Sequence, residues 1–151
     1  MLADIEEQYN KLYQYCYFKV HNAHLAEDIT QEAFLRLLET EKDMEIEKPL
    51  AFLYTVARNL CIDEFRRKKL NELTAVSEDM PADNENQIID AVSVKIALDE
   101  LTEREREIVL LKVVNEVPVK DISKIFGISR FAVYREVKKI LKKLERRLSY
   151  E

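Results

Sequence analysis

Apolar residues recur at spacings of three and four along nearly the whole chain, and no stretch sustains apolar/polar alternation; the pattern predicts an all-α fold. Ile5, Tyr9, Leu12, Tyr13, Cys16, Tyr17 and Val20 form one stripe, which predicts a first helix over residues 5–20. A second helix, over 23–39, turns Leu25, Ile29, Ala33, Phe34, Leu37 and Leu38 inward. Residues 40–48 are polar and acidic and read as a loop. Pro49 then suits a first helical turn, and the helix it opens runs to about 69, burying Leu50, Leu53, Tyr54, Ala57, Leu60 and Cys61.

Periodicity weakens over residues 70–86, where Pro81, Asp79, Asp83, Asn84 and Asn86 favour turns, so a linker separates two helical domains. Helical patterning then resumes. Thr102 with Glu105 has the form of a capping box ahead of Ile108, Val109 and Leu111. A turn at 115–118 leads to VKDISKIFGISRFAVYREVKK, which has the layout of a helix-turn-helix. Ile122, Ser123 and Phe126 precede Gly127 at the turn; Ser129 caps the next helix, and its Val133 packs inward. That helix continues with Val137, Ile140, Leu141, Leu144 and Leu148 as its packing stripe.

One glycine and three prolines in 151 residues leave few tight turns, in keeping with helices. The longest uncharged run, residues 49–57, is far below the roughly 18–20 residues of a membrane span. No basic-then-apolar leader opens the sequence, and two cysteines are too few for a disulfide scaffold, so a cytoplasmic protein is expected.

The net charge of −5 argues against nucleic acid only until it is divided. Residues 1–70 carry net −3, residues 71–90 net −6 with no base, and residues 91–151 net +4. Residues 124–147 hold nine bases against Glu136 and Glu145. A basic C-terminal face and an acidic connector are different objects. The connector reads either as a solvated spacer or as a segment that occupies a basic channel on a partner.

Candidate chemistry follows the same division. Arg130, Phe131, Tyr134, Arg135 and Lys138 project from the start of the second helix of the motif, where base edges and phosphates of a major groove would lie. Phe52, Arg58, Asn59, Arg66 and Arg67 share a side of the third helix; its basic end serves either the helix dipole or a nucleic-acid face. Asp28, Gln31 and Glu32 share an outer face of the second helix beside Phe34. His21 and His24 with Cys16 lack the further ligands of a zinc site, so no metal is expected. With no Gly-rich phosphate loop and no nucleophile–base pair, the expectation is a non-enzyme without a cofactor.

Set in order, these segments resemble bacterial RNA polymerase sigma factors of the sigma-70 family, extracytoplasmic-function (ECF) group. AEDITQEAFLRL is similar to the helix that grips the clamp of core RNA polymerase. PLAFLYTVARNLCIDEFRRKK is similar to the helix that melts and reads the −10 element, and ALDELTEREREIVLL with the helix-turn-helix is similar to the domain that reads the −35 element. The resemblance implies a sigma domain two over 1–69, an acidic linker over 70–90 and a sigma domain four over 91–151. It implies polymerase contacts from Asp28, Gln31, Glu32 and Phe34. Phe52, Arg58, Asn59, Arg66 and Arg67, with part of the 40–48 loop, would engage the −10 strand, and Arg130, Phe131, Tyr134, Arg135 and Lys138 the −35 duplex. It also implies a linker threaded through a polymerase channel and an anti-sigma factor that masks both domains. Phe52 stands where the family has tryptophan, Ser123 where it has alanine, and Ala132 where threonine is common; Arg130 and Phe131 are bulkier than usual. The competing expectation is a stand-alone helix-turn-helix transcriptional regulator.

Overall fold

The structure, a computed structural model, describes residues 4–72 and 99–149. Helix α1 (Ile5–Val20) is capped by the Asp4 carboxylate, which accepts the Glu7 N–H at 3.2 Å, and ends at His21 in the left-handed region. Helix α2 (Ala23–Asp43) starts where the Asn22 side chain accepts the Leu25 N–H at 3.1 Å. It runs past residue 39 through Thr40, Glu41 and Lys42, so only residues 44–48 separate it from α3 (Pro49–Glu72). Helix α3 likewise passes residue 69, which makes the first residues of the expected linker helical; residues 73–90 of that linker lie outside the described residues.

In the C-terminal part, Thr102 and Glu105 form the expected capping box of α4 (Glu103–Val109). Helix α4 then widens into a π-helical turn, Leu110–Val114, closed by the Asn115 N–H on the Leu110 carbonyl at 2.9 Å. Helices α5 (Val119–Phe126) and α6 (Arg130–Ser149) form the helix-turn-helix. Gly127 ends α5 at φ 66°, a left-handed cap that glycine adopts without strain. Among the described residues there is no strand, and no helix is long and apolar enough to cross a membrane.

The two helical parts share one core. Leu12, Tyr15 and Cys16 of α1, Ala33 and Leu37 of α2, and Leu53, Tyr54 and Ala57 of α3 form a cluster with Leu110, Leu111, Val117, Ile122 and Val133. A smaller cluster of Leu101, Ile108, Val109 and Ile140 holds α4 against α6. Each large apolar side chain buried in this way contributes about 1.5–3 kcal/mol of transfer free energy.

The stripe expected on α1 is rotated in the structure. Tyr15 is fully buried while Tyr17 and Ile5 are exposed, because α1 packs against α2, α3 and α4 and its buried face centres on Leu12, Tyr15 and Cys16. Leu38 is also exposed: the inner face of α2 narrows to Ala26, Ile29, Ala33 and Leu37. On α6, Val133 and Ile140 are buried, Val137 and Leu144 half-buried and Leu141 exposed, while the side chain of Leu148 lies outside the described residues.

Candidate nucleic-acid interface

The start of α6 is built as a presenting surface. Ser129 Oγ accepts the Ala132 N–H at 3.0 Å and Val133 is fully buried, which fixes the helix rotation. The Ser123 hydroxyl donates to the Ile128 carbonyl across the turn. The opposite face is tied to α4 by Lys143 to Glu105 at 3.0 Å and Arg104 to Glu136 at 3.6 Å. Arg130, Phe131, Tyr134, Arg135 and Lys138 are then all exposed, Phe131 by 74% and Tyr134 by 61%. The Arg135 guanidinium lies 5.8 Å from the Phe131 ring centroid, an aromatic–cation pair on this exposed face.

On α2, Asp28 and Gln31 are exposed, and Glu32 is half-buried and paired with Arg36 at 2.9 Å. Phe34 departs from that face: its ring lies 5.5 Å from Tyr9, so it packs α2 onto α1.

Helix α3 divides the five residues expected there. Asn59, Arg66 and Arg67 are exposed, Arg67 bridging Glu64 at 3.0 Å. The basic end of α3 and Lys19 frame a cavity of about 310 Å³ with Val20, Leu25 and Phe65 among its apolar walls. Phe52 is half-buried against the core. Arg58 points at the C-terminal domain, with its guanidinium 5.2 Å from the Phe126 centroid and its Nε 3.7 Å from Glu107.

Glu107 is the group that reading by sequence missed. It is 3% exposed, pairs with the Lys19 ammonium, and has both carboxylate oxygens 3.0 Å from the Tyr15 hydroxyl. Burial, and then the Glu107 charge, push the Tyr15 phenol well above its usual range. Asn115 makes the second polar join: its amide donates to the Lys11 carbonyl at 2.8 Å and to the Tyr54 hydroxyl at 2.9 Å. The available signal was spacing. Glu107 precedes Leu111 by four residues and Tyr15 follows Leu12 by three, so each lies on an apolar stripe.

The aromatic and basic start of α6, the basic end of α3 and the polar outer face of α2 are three separate exposed surfaces on one helical chain. The chain matches Sigma-70 region 2 over residues 5–70 and Sigma-70, region 4 over residues 93–144. It is 32% identical over 146 residues to the ECF RNA polymerase sigma factor SigW of Bacillus subtilis, covering 83% of this chain and 77% of the relative. It is 30% identical over 129 residues to the ferric citrate uptake sigma factor FecI of Escherichia coli, covering 80% and 75%. The sigma factor RpoE of Bartonella quintana, solved in complex with the anti-sigma factor NepR, shares the fold at 19% identity and TM-score 0.65, over 94% of this chain and 92% of that one. This chain belongs to the ECF sigma factors of the sigma-70 family.

Proposed function

We propose that this protein is an alternative sigma factor that binds core RNA polymerase and directs initiation at a defined set of promoters. The ordered match to regions 2 and 4 carries the reading. Residues 1–69 act as domain two, 70–90 as the acidic linker and 91–151 as domain four. Asp28, Gln31 and Glu32 contact polymerase, with Phe34 supporting the helix that presents them. Asn59, Arg66 and Arg67 meet the −10 strand directly from exposed positions, and Phe52 and Arg58, half-buried beside them, support that contact. Arg130, Phe131, Tyr134, Arg135 and Lys138 engage the −35 duplex, phosphates giving affinity and base edges giving choice. Catalysis belongs to the polymerase, the protein works in the cytoplasm, and an anti-sigma factor controls it. A stand-alone regulator is not favoured, because the region 2 match accounts for the N-terminal helices.

The test is binding to core polymerase. The D28A/Q31A double variant should bind at least tenfold more weakly than wild type with unchanged helical content. Equal binding would remove α2 as the polymerase face.

A further inference from the structure

We propose that Cys16 and Cys61 form an oxidant-sensitive dithiol, reached through the cavity at the basic end of α3, that hydrogen peroxide converts to a disulfide joining α1 to α3. They are the only two cysteines of the chain, and both are free and buried. A single buried cysteine is inert packing. Contact and access make this pair different.

The contact is between the thiols themselves, which are hydrogen-bonded to each other across the α1–α3 interface. A sulfenic acid formed on either sulfur therefore meets the other cysteine at once, and no third thiol competes. Closing the pair to a bond of ~2.05 Å takes only a small side-chain movement. Access comes from the cavity of about 310 Å³, whose wall includes Cys61 together with Lys19, Lys68 and Lys69. Peroxide is little larger than water and fits such a space. Cys16 is not part of that wall, so Cys61 is the sulfur that the oxidant meets and Cys16 the one that resolves it.

The hydrogen bond sets the proton inventory. The Cys61 S–H donates to Cys16, which holds the Cys16 thiol below its usual range, with the Thr30 hydroxyl also supporting its thiolate. The Cys16 thiolate takes the Cys61 proton as the Cys61 sulfur attacks peroxide. An S–O bond forms, the O–O bond breaks, and the departing hydroxide recovers that proton from Cys16 as water. The Cys16 thiolate then attacks the Cys61 sulfur: the S–S bond forms, the S–O bond breaks, and the second hydroxide is protonated by solvent. Two thiols are oxidised and one peroxide is reduced to two waters.

The test treats the folded full chain with excess hydrogen peroxide, alkylates it in denaturant and weighs it intact. The expected product is a monomer lighter by two hydrogens that takes no alkyl group. Digestion should give the Cys16 and Cys61 peptides joined, and dithiothreitol should restore both thiols. The oxidised chain should also melt several degrees above the reduced one, because the new bond closes the loop from residue 16 to residue 61. C61S, which leaves Cys16 off the cavity wall, should lose its remaining thiol roughly tenfold more slowly than the wild type loses its pair. Two alkylated thiols after treatment, a bond between two chains, or a bond that forms only in urea would overturn the dithiol. Equal thiol loss in C61S would overturn Cys61 as the sulfur attacked.

Discussion

The Asn115 side chain, in the turn that precedes the helix-turn-helix, donates 2.9 Å to the Tyr54 hydroxyl in the middle of α3. Its other bond, to the Lys11 carbonyl, joins the same turn to α1, so one amide ties the approach to the helix-turn-helix to two of the three N-terminal helices. The π-helical turn that ends α4 brings it there, since the Asn115 N–H closes on Leu110 one residue further back than in an α-helix.

Replacing Asn115 by alanine removes two bonds at a buried site and strands the Tyr54 hydroxyl. Urea titration should give a loss of about 1–3 kcal/mol. A loss below about 0.5 kcal/mol would mean that the join adds nothing to stability.

Tyr54 also sets an alkaline limit. Burial pushes its phenol up to about 12, partly offset by the Asn115 bond. A raised value means that the folded state holds the proton more tightly, so this stabilisation is complete below the unfolded value near 10 and is lost as pH rises toward about 12. Tyr15, also raised by burial and by the Glu107 charge, acts in the same direction. Stability followed from pH 9 to 12 should fall less steeply in Y54F than in wild type, and equal slopes would contradict the assignment.

At Gly127 an added Cβ meets nothing within 4 Å, so alanine there is opposed only by the left-handed backbone. G127A should lose about 1–2 kcal/mol in denaturant unfolding and still bind polymerase. A neutral change would show that the turn relaxes to another conformation.

Arg135 is exposed and stacked on Phe131, free to contact either a base or a phosphate. R135A should reduce transcription from promoters that depend on a −35 element by about 1–3 kcal/mol, and more from some sequences than from others. Uniform loss at every promoter would identify a phosphate contact instead.

What the sequence disclosed is local chemistry. The Thr102–Glu105 box, the Gly127 cap, the Ser129 cap and the inward Val133 each depend on neighbours within four residues, and all four stand as expected. The exposed start of α6 follows from them. The domain contact was not legible, because Tyr15 and Glu107 are 92 residues apart and Lys11 and Asn115 are 104 apart. No periodicity reports a pairing at such separation. For that reason periodicity puts Tyr17 inside in place of Tyr15, and it does not report that Arg58 faces Glu107 and Phe126. The end of α2 was misjudged for a smaller reason, that an acidic run from Glu39 to Asp43 serves as well on a solvated helix as in a loop.

If this chain gives core polymerase its choice of promoter, transcription itself will show it. Purified protein, bacterial core polymerase and genomic fragments should be combined and transcript starts mapped against core alone. New, discrete starts should appear that share sequences near −10 and −35 and that are lost with D28A/Q31A. Transcript starts indistinguishable from those of core polymerase alone would contradict it.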